Sequence, residues 1–206
     1  MIEHHIDIET DDGTMATFIS HPDAGGPYPV VLFLMDAPGK REELHDMARR
    51  ISSTGYYVML STLYYREVRS FTLHREDPAS AEYMFKLMSN LRNDMVAREA
   101  KSMIAYADAD VVADASRLGV TGDCMSGPFA LWLSAEFPDV IKSAASIHGV
   151  RLAVDAEDSP HSRAAEMIGE ILVMAAEYDD YVDRTHYDRL VAALDAVSAN
   201  AHCEWV

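Results

Sequence analysis

Residues 29–35 read Pro-Val-Val-Leu-Phe-Leu-Met, an apolar run with no polar interruption. A strand with one wet face alternates apolar and polar residues. An unbroken run of this length therefore reads as a strand buried on both faces, as in parallel sheets covered by helices. Shorter runs of similar character recur at 56–60, 118–122, 144–147, 171–176 and 203–206. Between them lie segments with helical period. Residues 41–54 place Leu44, Met47, Ala48 and Ile51 on one face, and Gly55 closes the segment. Further helices are predicted at 79–91, 94–107, 129–137 (stopped by Pro138) and 187–197. Strands alternating with helices predict an α/β fold with a mostly parallel central sheet and helices on both faces.

The first residues depart from that rhythm. Residues 4–8 and 15–19 alternate, and Asp11-Asp12-Gly13 between them is a turn signal, so an N-terminal antiparallel hairpin is expected. Residues 64–77 lack clear periodicity and are read as a long loop of the kind that borders a site. Residues 157–170 read as irregular or weakly helical. With neither an internal repeat nor a low-complexity linker, residues 1–206 are expected to form a single domain.

Charge and cysteine content narrow the function classes. Seventeen basic against 34 acidic residues give a formal net charge of −17. Such a field repels phosphate backbones and anionic lipid, so neither nucleic acid nor a membrane is expected as a partner. The N-terminus lacks a basic segment followed by an apolar one, and two cysteines are too few for a disulfide framework. A cytoplasmic setting is the expectation. CxxC and HExxH patterns are absent, so no metal site is expected. A small-molecule substrate, no cofactor, and a monomer or small homo-oligomer complete these expectations.

The chemistry concentrates in Val120-Thr-Gly-Asp-Cys-Met-Ser-Gly-Pro128. This is small-x-Cys-x-small between an apolar strand and an amphipathic helix, the arrangement of a nucleophile elbow. So sharp a turn strains its central residue and leaves room only for small groups two positions either side, here Gly122 and Ser126. It lifts the Cys124 sulfur clear of the sheet. It also sets that sulfur at a helix N-terminus, where the dipole favours thiolate. The N–H of Met125 then faces the same space and can serve an oxyanion. The plainer reading is a buried, inert cysteine, as most are. The ordered strand, small flanks and helix favour the nucleophile. Ser126 fits the same pattern poorly, because its own flanks would be Cys124 and Pro128.

Gly122-Asp-Cys-Met-Ser-Gly127 resembles the glycine-x-cysteine-x-glycine-glycine elbow of the dienelactone hydrolase family, with Ser126 in place of a glycine. Met35-Asp-Ala-Pro-Gly39, Leu63-Tyr-Tyr-Arg66, Ser146-Ile-His-Gly149 and Ala176-Glu-Tyr-Asp179 are similar to other landmarks of that family, in the same order. The resemblance covers almost the whole chain and implies an α/β-hydrolase fold. It implies that Cys124 attacks an ester or lactone carbonyl to form a thioester. Met125 and Ala37 would supply the oxyanion N–H groups, since Pro38 has none. Asp36 would stand where the family's glutamate contacts the resting thiol, one methylene shorter. The alternative for Asp36 is a loop carboxylate capping the next helix.

Asp179 follows an apolar strand and the nucleophile, matching the family's chain order, and would orient a histidine. Asp180 and Asp183 are its neighbours and rivals. The resemblance puts the histidine after one further strand, and the chain ends at Val206 before any such residue. The expectation is therefore that the catalytic histidine lies beyond this chain, lost with a C-terminal strand–helix unit, and that the 206 residues alone are weak or inactive. His148, at a strand's carboxyl end, is expected to line the pocket rather than act as base. Tyr64 and Arg66 are further pocket candidates. Arg66, Arg69 and Arg75 could draw in a substrate carboxylate, although solvated loop charges are the plainer reading of each.

Two other function classes compete. A non-catalytic binding or interaction module on the same scaffold would explain Ser126 and the absent histidine. A thiol redox protein is disfavoured, because Cys203 has no CxxC spacing to Cys124.

Overall fold

The computed structural model describes residues 1–206 and has eight strands and five α-helices. The chain divides into two compact units, Met1–Leu118 and Gly119–Val206.

The first unit opens on a hairpin of β1 (Ile2–Thr10) and β2 (Gly13–His21). The strands pair antiparallel from Ile2 opposite His21 to Thr10 opposite Gly13. Asp11 and Asp12 make the turn, Thr10 Oγ1 donates to Gly13 O at 2.8 Å, and Gly13 sits at φ 130°. That φ is one only glycine adopts easily. β2 also pairs antiparallel with β4 (Tyr57–Ser61), and β3 (Tyr28–Leu34) pairs parallel with β4, Val30 opposite Tyr57. The continuous apolar run is therefore a parallel strand, and all five residues of β4 are buried.

Helix α1 (Glu42–Ser52) connects β3 to β4 and buries Leu44, Ala48 and Ser52 at every fourth position. Its first turn carries Glu42 and Glu43 and its last Arg49 and Arg50, each sign complementing the helix dipole. Ser52 Oγ donates to Ser20 O at 2.8 Å, tying α1 to β2. No helix or strand forms between β4 and α2 (Pro78–Ser89), as read from the sequence. α2 starts on Asp77, whose side chain accepts from Ala79 N, with Pro78 pre-set for the first turn. α3 (Asn93–Ala109) buries Val96, Ala100, Met103 and Ala107 and, on the same face, Glu99.

Strand β5 (Ala113–Asp123) crosses the division between the units. In the second unit β6 (Ile141–Ile147), β7 (Glu170–Ala175) and β8 (Ala201–Trp205) pair parallel in chain order. α4 (Gly127–Glu136) leads into β6, and α5 (Arg184–Ala196) links β7 to β8. Leu131 and Leu133 of α4 and Ile171 and Val173 of β7 are fully buried. Residues 157–170 include a 3₁₀ segment, Pro160–Glu166. Sequence reading put the end strand at 203–206, whereas pairing with β7 begins at Ala201. The alternation of Ala201-His-Cys-Glu-Trp is masked by its polar members.

Candidate active site

β5 ends at Asp123, Cys124 begins a short 3₁₀ turn, and α4 starts at Gly127. Cys124 has φ 52°, a left-handed conformation that strains a residue with a side chain. A Cβ added to Gly122 would lie 2.1 Å from Ser126 O, so no other residue fits there with the turn as it is. A Cβ on Gly127 would lie 2.4 Å from Ser146 Oγ and 2.5 Å from Gly149 Cα. The helix thus begins in direct contact with the turn after β6. Val150 N donates to Cys124 O at 3.1 Å, which fastens that turn to the strained residue itself. Ser126 is fully buried and Met125 nearly so, whereas Cys124 is partly accessible. Between the two candidate nucleophiles of this turn, only the cysteine can meet a substrate.

His148 follows β6 at φ 49°, its N–H donating to Met174 O at 2.7 Å, and its side chain is exposed. Asp179 follows β7 and is half-buried, and Oδ1 accepts from Tyr181 N at 2.8 Å. Its rivals are set differently. Asp180 is exposed. Asp183 is the N-cap of α5, accepting from both Thr185 N and Thr185 Oγ1 at 2.8 Å. Its carboxyl is held below the usual carboxylate range chiefly by those bonds.

In the first unit the loop after β3 carries Asp36 and Ala37. The Asp36 carboxylate grips Arg41 through two bonds, 2.5 and 2.9 Å, rather than capping α1, whose N-cap is Arg41 itself. Ala37 is buried, and its carbonyl accepts from Tyr64 Oη at 2.9 Å. The loops after β3 and β4 are therefore joined at two of the sequence-read positions. Arg66 lines a smaller cavity, about 70 Å³, together with Tyr64. It pairs with Asp12 at 2.8 Å and with Glu99, and its guanidinium is committed to those carboxylates. Burial raises the Glu99 carboxyl to about 7, with Arg66 opposing. Arg69, not Arg66, lines the larger cavity beside Tyr64. That cavity, about 200 Å³, also exposes Lys40 and Thr62, neither of them singled out in the sequence. A lone lysine in a loop gives no signal of burial.

A strand, a strained turn and a helix carrying a half-exposed cysteine define the class: an α/β-hydrolase fold. The family model of the dienelactone hydrolase family matches residues 15–205, and the chain belongs to that family. A Methylorubrum extorquens protein named "Putative carboxymethylenebutenolidase" is 27% identical over 210 residues, covering 100% of this chain and 69% of that protein. An Escherichia coli K12 protein of the same name is 27% identical, over 93% of this chain and 74% of its own length. The solved structure of a "Putative Dienelactone Hydrolase" from Klebsiella pneumoniae superposes with a TM-score of 0.85 at 23% identity, over 99% of this chain and 84% of that one. The chain is thus a hydrolase of this family, and no helix is long and apolar enough to cross a membrane.

Proposed function

We propose that this chain hydrolyses small carboxylic esters or lactones in the cytoplasm, with Cys124 as the nucleophile. The observation that carries the reading is the turn at Cys124. Its strained φ of 52°, the 2.1 Å limit at Gly122 and the buried Ser126 leave one side chain at the head of α4 able to react. Strain of this kind costs on the order of 1–3 kcal/mol and persists where a site needs it. In the proposed step the Cys124 sulfur attacks the carbonyl carbon, and the π electrons move onto the carbonyl oxygen. The N–H groups of Met125 and Ala37 receive that oxyanion. Collapse expels the alkoxide and leaves a thioester, which water cleaves to acid and free thiol. Tyr64, by bonding Ala37 O, would hold the Ala37–Pro38 peptide, next to the Asp36–Ala37 peptide whose N–H is the proposed donor. Asp179 is the proposed acid that orients the base and stabilises its positive charge. Asp36 would support the nucleophile, and its pairing with Arg41 limits how freely it can turn towards a thiol. His148 is proposed to border the substrate, exposed beside the elbow's anchoring turn.

The test is acylation of the whole chain with p-nitrophenyl acetate. The expected result is release of p-nitrophenol with an acetyl group on Cys124, removed by hydroxylamine, and neither event in Cys124→Ala. Acetylation confined to other side chains would overturn the reading. Saturable ester binding without any p-nitrophenol release would favour a binding module instead.

A further inference from the structure

The cavity of the first unit contains an amine that the hydrolase reading does not use. Lys40 and Ala16 share its wall with Thr62, Tyr64, Arg69 and Phe71. Lys40 Nζ donates to Ala16 O at 3.0 Å and has no carboxylate partner. Asp7, the acidic group whose charge acts on it, is already paired with Arg69 at 2.9 Å. Thr62 Oγ1, on a residue only 3% exposed, makes no hydrogen bond. The chain's other lysines, Lys86, Lys101 and Lys142, are all exposed. At about 200 Å³ the space falls below the roughly 300 Å³ at which sites for drug-sized ligands begin, and it suits a ligand of a few carbons.

We infer that Lys40 is an imine-forming amine and that this cavity receives a small 2-oxo acid. The uncharged Lys40 nitrogen adds its lone pair to the carbonyl carbon, and the carbonyl oxygen takes up a proton to give a carbinolamine. Loss of that hydroxyl with a nitrogen proton, as one water, leaves a C=N bond, and nothing is oxidised or reduced. Arg69 offers the cation for the carboxylate. Its competitor is Asp7, which the incoming anion must displace or share. The amine is suited to the addition because it is partly uncharged near neutrality. Loss of hydration lowers its pKa to about 8, with Asp7 opposing and Arg69 adding to the fall. Imine formation at Lys40 uses no atom of Cys124, so either chemistry can fail while the other stands.

The experiment treats the whole chain at pH 8 with glyoxylate and cyanoborohydride, which reduces any imine to a stable secondary amine, and maps the adducts by peptide mass. At that pH about half of Lys40 is uncharged against well under about 1% of an ordinary lysine. Lys40 is therefore expected to be labelled on the order of ten times faster than Lys86, Lys101 or Lys142. Arg69→Met should slow labelling by glyoxylate more than labelling by propanal, which has no carboxylate and registers only the rise in the Lys40 pKa that follows loss of the arginine charge. In Lys40→Arg, which keeps the charge, the fast adduct should vanish while the circular dichroism is unchanged. Even labelling of the four lysines would overturn the inference, as would a glyoxylate rate indifferent to Arg69→Met.

Discussion

The elbow around Cys124 and the cavity around Lys40 are built in opposite ways. The elbow is local. Gly122, Cys124 and Ser126 lie within five consecutive residues, and the constraint that shapes them is a clash between neighbours in the chain. The cavity is assembled from β2, the loop after β3 and the long loop after β4. Its key property, a poorly hydrated ammonium, belongs to no segment alone. A reactive group made by backbone geometry can be read along the chain, whereas one made by burial cannot.

The largest expected effects fall on the elbow. Gly122→Ala must move the Ser126 carbonyl or unwind the turn. The expected cost is more than about 3 kcal/mol in stability by urea titration, together with loss of p-nitrophenyl acetate turnover. If the variant keeps both, the elbow does not owe its shape to that contact, and the contrast with the cavity fails. Asp179→Asn preserves shape while removing the charge that would hold a base. In the protein that carries the histidine Asp179 would orient, a fall in kcat of at least about 10²-fold with KM unchanged is expected. An unaltered kcat would strike Asp179 from the proposed machinery and leave the cysteine standing alone.

What the sequence revealed follows the same division. The apolar run at 29–35, the Asp11-Asp12-Gly13 turn and the order of strands and helices were readable because each rests on short-range periodicity or a turn residue. The Gly122-x-Cys124 spacing was readable for the same reason, and Ala37 and Tyr64 were picked from a resemblance and are joined by a hydrogen bond. Arg66 shows the limit. In sequence it is one of several loop arginines, and its charge suggests a substrate carboxylate. In the fold it belongs to Asp12 in the hairpin turn and to Glu99 in α3, 54 and 33 positions away. No local pattern announces a partner at that separation. The helix expected from residue 187 begins instead at Arg184, and Asp183, read only as a rival of Asp179, is its N-cap.

The Glu99–Arg66 pair extends the comparison to pH. Glu99 is 1% exposed, and its carboxyl, ordinarily near 4.5, is raised to about 7 by burial. Between those values the folded chain holds a proton that the unfolded chain has released, so stability falls as pH rises through this window. The penalty is fully present above about pH 7. Glu99→Gln cannot titrate there. Measured by urea unfolding from pH 4.5 to 8, the variant should gain on the parent as pH rises, by a total of roughly 3 kcal/mol. The attraction of Arg66 for ionised Glu99 is already contained in the value of about 7, and Arg66 keeps its own proton and its pairing with Asp12 throughout, so any other offset is the same at each pH. Parallel pH profiles would mean that Glu99 stays ionised in the fold.

The smallest effect makes the sharpest distinction, because it separates two carboxylates four residues apart. Asp183 accepts from Thr185 N and Oγ1 at the start of α5, and it touches nothing else proposed for the chemistry. Asp183→Ala should therefore lower stability slightly through the lost N-cap and leave kcat and KM as they were. Because the folded carboxyl titrates below its ordinary range, that contribution is complete above the unfolded value and is lost as pH falls through the lower, folded one. The difference between parent and variant should accordingly shrink only in acid. Asp77→Ala, the matching cap of α2 in the first unit, should cost a similar amount, again without a kinetic effect. If Asp183→Ala lowers kcat while Asp77→Ala does not, the acid has been assigned to the wrong member of the cluster.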